Sequence, residues 1–229
     1  MYLKLGRIMK KIIFSVLICT LLSCQENRPH GNQYNLPELT PNNFLMGNLN
    51  ENRSSYKVSF YDINIDFDID NKSLDGFVTI KAESIRDLKK LQIDLAENLN
   101  IKKVTHKNQN LFFSREYDAV IIDFISTIKK GSIFEFTVFY EGTPQGADNP
   151  PWAGGFTWSK DKDNRDWIAV SCEGEGARIW WPNKDHITAE GDSVRMAYTV
   201  PSNLVAVGNG KLKSVKNLGN KTTYEWFVS

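Results

Sequence analysis

The 229 residues carry 28 Lys and Arg against 27 Asp and Glu, with 3 His, 3 Cys, 41% hydrophobic and 12% aromatic side chains. A near-neutral chain has no electrostatic footprint for nucleic acid, which is therefore not an expected partner. The ordinary charged and apolar fractions exclude a disordered or collagen-like polymer, and three Cys are too few for a disulfide framework.

Lys4, Arg7, Lys10 and Lys11 precede an apolar run from Ile12 to Leu22, followed by the small residues Ser23 and Cys24. A basic head, a short apolar stretch and small residues make a secretory signal over 1–23, too short to span a bilayer comfortably. Leu21-Leu22-Ser23-Cys24 resembles the lipobox of bacterial lipoproteins. That resemblance implies cleavage before Cys24, acylation of Cys24, and an exported chain anchored by lipid in the cell envelope, with the outer membrane favoured. Removing the signal discards Cys19 and four basic residues, so the mature chain turns mildly acidic and retains Cys172 as its one thiol.

Residues 24–52 hold the lipidated Cys and an Asn- and Pro-rich stretch with no sustained period, which reads as a flexible tether. Its root-mean-square reach would be roughly 30 Å. The domain follows over 53–229. From Asp62 to Asp70, Ile63, Ile65, Phe67 and Ile69 alternate with polar residues, the period of a half-buried strand. The pattern returns at Val78, Ile80 and Ala82, at Leu91, Ile93 and Leu95, and at Phe134, Phe136, Val138 and Tyr140; Ala119 to Phe124 suits a strand buried on both faces. Further strands are expected at Trp167–Ser171, Ser193–Val200, Leu204–Val207, Lys211–Val215 and Thr222–Val228. No helical stripe competes with them. The fold class is all-β: an antiparallel β-sandwich or saddle-like sheet pair. Two long connections, 142–166 and 172–192, hold five of the six Trp.

Local spacing builds no metal site, because His30, His106 and His186 lie far apart and none has a partner four positions away. His30 and His106 read as solvent-exposed. Cys172 with His186, oriented by Asp185 or Asp192, forms a conceivable thiolate pair, set against the plainer reading of Cys172 as a small buried hydrophobe. The richest segment is Ser171 to His186, SCEGEGARIWWPNKDH. It sets Glu173 and Glu175 among glycines, after a strand and before a Trp-Trp-Pro wall. A carboxylate partly shielded there would hold an ammonium group through a charge-assisted hydrogen bond of about 1.5–3 kcal/mol. A peptide's α-amino group is such a ligand. The alternative is a solvated acidic loop.

The segments YKVSFYDINIDFDID (56–70), LDGFVTIKA (74–82), IFEFTVFYEG (133–142), GGFTW (154–158), SCEGEGARIWWPNKD (171–185) and DSVRMAYTVPSNLVAVGNGKL (192–212) come in an ordered series. Together they resemble the N-terminal domain of the aminopeptidase N family of zinc metallopeptidases, which includes leukotriene hydrolase, with wording nearest its bacterial lipoprotein-like branch. In that family the loop matching 171–178 enters the active-site cleft with a Gln-x-Glu or Gln-x-Gln pattern. The resemblance implies that Glu173 holds the substrate's amino terminus. Ser171 stands where the family has Gln, and Arg178, Pro182 and Asp185 match the landmark that fixes the loop's base. Zinc is implied for the full-length family enzyme, bound by a His-Glu-x-x-His helix; neither that motif nor Gly-x-Met-Glu-Asn occurs in this sequence. The expectation is a recognition domain with no catalytic residue, metal ligand or cofactor of its own, inactive as a peptidase alone. Its partners would be a peptide N-terminus, a missing or separately encoded catalytic domain, and the membrane through the lipid. The alternative is a non-catalytic envelope lipoprotein whose Trp-rich loops bind peptide or carbohydrate.

Overall fold

Alternation of apolar and polar side chains decides which face of each strand turns inward, and β-bulges decide where that alternation changes phase. A computed structural model of the chain describes residues 38–187 and 189–229. The signal, Cys24, His30 and the tether up to residue 37 lie outside the described residues.

In β1 (Tyr56–Asp68) the buried side chains are Tyr56 and Val58, then Tyr61, Ile63 and Ile65. The change from even to odd positions falls at a register shift between Val58 and Phe60. A hairpin leads to β2 (Ser73–Ser84), its turn tied by Asn71 N–H to Asp68 Oδ1 at 3.0 Å. Then come β3 (Leu88–Asp94), β4 (Leu99–His106), β5 (Gln109–Glu116), β6 (Ala119–Ile128) and β7 (Ile133–Gly142). The shorter β8 (Gly155–Lys160) and β9 (Asp166–Ser171) form a separate two-stranded ribbon. The chain closes with β10 (Ser193–Pro201), β11 (Lys211–Asn217) and β12 (Lys221–Val228).

Ten strands form one sheet in the order β11-β12-β10-β1-β2-β7-β4-β5-β6-β3. Phe124 on β6 meets Phe136 on β7 edge to face, with ring centroids 6.0 Å apart, although β4 and β5 stand between those strands in the sheet. The contact requires the sheet to fold back on itself. Its two halves share one core that includes Val78, Ile80, Ile93, Ile122 and Val138. The all-β expectation holds, with one refinement: β10 pairs parallel to β1, with Ile63 opposite Met196, so the sheet is mixed.

Several sequence expectations change. Leu204–Val207 is not a strand, because its carbonyls are taken by side chains: Tyr224 OH donates to Leu204 O at 3.2 Å and Trp226 Nε1 to Ala206 O at 3.1 Å. The connection 142–166 contains β8, and β4 and β5 are additional strands. The end of the expected tether is ordered. Thr40 caps α1 (Pro41–Gly47), with Asn43 N–H donating to its hydroxyl at 3.3 Å, and α2 (Glu51–Ser54) follows. What fixes this stretch is Arg53, which has no exposed surface. Its guanidinium donates to Met46 O, to Asn48 O at 3.3 Å, to Asp185 O at 2.8 Å and to the carboxylate of Asp94. His106 is no open turn residue: its Nδ1 lies 2.6 Å from Glu135 O and its ring packs 5.3 Å from that of Phe124.

Candidate functional site

Ser171 ends β9 opposite Gly155, and the chain then leaves the ribbon. Gly176 N–H returns to Cys172 O at 2.9 Å, closing a tight turn over residues 173–175. Glu173 sits at its exposed tip. Gly174 and Gly176 adopt φ of 89° and 87°, the left-handed region that glycine enters without steric cost. A short 3-10 helix, Ala177–Ile179, brings the chain back to the core.

Arg178 fastens the base of the loop. Nε donates to Asp118 Oδ2 at 3.0 Å, Nη1 to Asp185 Oδ2 at 3.0 Å, and Nη1 also to Glu175 O. Pro182 is buried next to Asn183, whose backbone exchanges two hydrogen bonds with Asp94, at 2.7 and 3.1 Å. Asp185 N–H in turn donates to Asp94 Oδ2 at 2.9 Å. Arg178, Pro182 and Asp185 therefore gather at the root of the loop, while Ser171 starts its outgoing limb and Glu173 stands where that limb reaches the tip.

The pattern of shielding differs from the sequence expectation. Glu173 is exposed rather than sheltered by the Trp-Trp-Pro wall, because both indoles turn to the core. Trp181 packs edge to face on Tyr61 at 5.0 Å, and Trp180 lies between Phe156 and Tyr198 at 6.3 and 6.1 Å. The carboxylate that is enclosed belongs to Glu175, whose Oε2 is buried with no hydrogen-bond donor. It abuts the backbone at Gly154, where a Cβ would come within 2.4 Å of that oxygen.

Cys172 is half-buried, and burial pushes its thiol up from the ordinary value, with Asp185 and Glu175 pushing the same way. A nucleophilic thiolate is favoured by the opposite shift. Burial also lowers the His186 imidazole, aided by the charges of Arg53 and Lys184.

Sequence reasoning missed the buried support of this region. Asp94 is fully buried against Arg53, also receives Gln92 Nε2 at 2.9 Å, and is pushed up by desolvation against the pull of Arg53. Lys184 is also buried; its Nζ donates to Tyr56 O at 2.8 Å and lies 4.6 Å above the Tyr56 ring. Burial lowers its ammonium to about 8. In the sequence only Asp94, between Ile93 and Leu95, is a charge within an apolar run; Arg53 and Lys184 have polar neighbours and gave no signal.

The family model for the Peptidase M1 N-terminal domain matches residues 57–229. The chain belongs to this family. This M1 N-terminal domain also superposes on a crystal structure of an M1 zinc metallopeptidase from Deinococcus radiodurans, with a TM-score of 0.61 and 18% identity, covering 76% of this chain and 39% of that one. A mutant of that enzyme bound to a Tyr-Ser-Ala substrate matches with a TM-score of 0.59 and 16% identity over the same shares. At these identities the likeness establishes the fold, and the M1 N-terminal domain spans about two fifths of the solved chains. No curated protein matches. The M1 family implies zinc in full-length enzymes. Among the described residues of this domain, no three His, Cys, Asp or Glu side chains gather as a group able to hold a metal ion.

Proposed function

We propose that this chain is the substrate-recognition domain of an M1-type aminopeptidase, with Glu173 receiving the free α-amino group of a peptide. The observation that carries the reading is an exposed carboxylate at the tip of a loop whose root is fixed by Arg178 to both Asp118 and Asp185. A tip held in this way presents its charge at little ordering cost on binding. The α-ammonium is mostly protonated at neutral pH and supplies the complementary donors. Ser171, two residues earlier, offers a hydroxyl on the same limb. Arg178, Pro182 and Asp185 act as positioning residues, and the hydrolytic chemistry of the family is assigned to other residues. On the sequence of residues 4–27, the same protein is exported and held to the bacterial envelope by acylation of Cys24; three acyl chains would exceed the two signals that suffice for stable anchoring.

The test is calorimetric titration of the chain with a free-amine tripeptide and with its N-acetylated form. Loss of a charge-assisted contact of about 1.5–3 kcal/mol corresponds to roughly tenfold or more in affinity. Acetylation and Glu173→Gln are each expected to produce that loss without lowering the melting temperature. Equal binding of the two peptides would overturn the reading.

A further inference from the structure

Among the described residues, the ribbon that delivers Glu173 has one open side. β8 and β9 pair only with each other as strands, and β8 is covered on its far edge by residues 145–147: Phe156 N–H donates to Gln145 O at 2.8 Å and Ala147 N–H to Phe156 O at 3.0 Å. Phe156 therefore points its backbone away from β9. In an antiparallel ladder, a residue facing such a position also points its own groups outward. The residue facing Phe156 is Val170, so the N–H and C=O of Val170, and with period two those of Ile168, lie along the free edge of β9. The hairpin end agrees: Asp161 N–H donates to Arg165 O at 2.8 Å, which puts the inward-bonded pairs at 159/167, 157/169 and 155/171. Among the described residues, Ile168 and Val170 form no backbone hydrogen bond beyond the ribbon. Their side chains pack against the core, which holds the edge in place. The outer face of the same strand shows the small Ala169 and Trp167, the latter 61% exposed.

We propose that the free edge of β9 takes up the substrate's backbone as an added antiparallel strand. The proposal rests on the reading of Glu173 as the amine receptor, which chooses the occupant and its direction. The edge runs from Asp166 to Ser171 and ends two residues before Glu173. A peptide whose ammonium sits on Glu173 and whose chain continues along the edge runs opposite to β9. Six residues at about 3.4 Å each give an edge of roughly 20 Å, enough for about five peptide residues. Backbone pairing supplies affinity without demanding particular side chains, and the carboxylate fixes the register. The substrate class is an extended peptide with a free amino terminus, and affinity grows with length up to about five residues.

The experiment is titration with penta-alanine, its N-acetylated form, and four versions singly N-methylated at the amides of residues 2, 3, 4 and 5. An added strand turns alternate amides toward β9. Methylation at one parity is expected to weaken binding by about tenfold and at the other by less than about threefold. Ile168→Pro removes an edge donor without touching a bond to β8 and should weaken binding similarly, with its melting curve checked for folding. The methylated peptides keep the test independent of that variant. Equal losses at both parities, or none, would overturn the edge proposal even if acetylation still abolished binding, leaving the amine reading intact. A parity effect with indifference to acetylation would instead retain a peptide edge and remove Glu173 as its anchor, overturning the combined proposal. No binding at millimolar peptide would overturn both.

Discussion

Gly176 lies directly beneath Asp185: a Cβ on Gly176 would stand 1.9 Å from Asp185 Oδ2, the oxygen that accepts from Arg178. Gly174 shares the left-handed backbone, but nothing lies within 4 Å of its Cβ position. Gly174→Ala should therefore cost about 1–2 kcal/mol, the penalty of the conformation alone. Gly176→Ala should cost clearly more, because Asp185 must leave its place. Urea unfolding of the two variants measures the difference, and equal losses would contradict the contact.

Arg53 and Asp94 are an ion pair with no exposed side-chain surface. Removing one partner strands a charge in the interior, so Arg53→Met is expected to destabilise by about 3–5 kcal/mol. The double variant Arg53→Met with Asp94→Leu should recover part of that, since no charge is left behind. Denaturant midpoints of the two single variants and the double variant test this. A double variant as unstable as the sum of the singles would contradict it.

Lys184 gives the fold a signed pH dependence. Its ammonium falls from 10.5 to about 8 on folding. Between those values the unfolded chain binds a proton that the folded chain does not, so this group's contribution rises with pH above about 8 and is lost as pH falls through it. Tyr56 and Tyr61 are raised by burial and act in the opposite sense above pH 10, where unfolded tyrosines begin to ionise. Measured from pH 7 to 9.5, the melting temperature of the native protein should gain on that of Lys184→Met. A gap constant with pH would refute the assignment.

Cys24 is expected to carry lipid when the gene is expressed with its leader. Intact mass of the membrane-extracted protein should exceed the mature polypeptide by the mass of its acyl groups. Cys24→Ala should move the protein to the soluble envelope fraction, and unchanged partition would count against the anchor.

The strands that were legible in the sequence are those whose alternation runs uninterrupted, such as Ile63 to Phe67 in β1 and Phe134 to Tyr140 in β7. β4 was hidden because its inward residues pass from Leu99 and Ile101 to Val104 across a register shift, which places Lys102 and Lys103 side by side and breaks the period. β5 was hidden because Leu111 is its only buried side chain while Phe112 is 84% exposed. At the site, Glu173 stood out by its place after a strand and before the Trp pair, with a solvated loop as the alternative, and Arg178 with Asp185 was named through the family resemblance. Asp118 and Asp94 were not, since their partners lie 60 and 41 positions away in the chain. The error over shielding has a simple origin: adjacency to two Trp residues says nothing about which way the indoles turn.

The parallel pairing of β1 with β10 carries a consequence for how the chain folds. Arg195 on β10 donates to Asp62 on β1 at 2.6 Å across a sequence separation of 133 residues. A chain emerging from its N-terminus, whether from a ribosome or a translocation pore, can assemble β1, β2 and β7 long before β10 exists. Until then β1 offers an open flank of unpaired amides, the kind of surface to which other unfinished chains adhere. Closing so long a loop is slow. β10, with β12 and β11 beyond it, is therefore expected to join the sheet late, and the interval before it is when this protein depends most on being kept apart from its own copies.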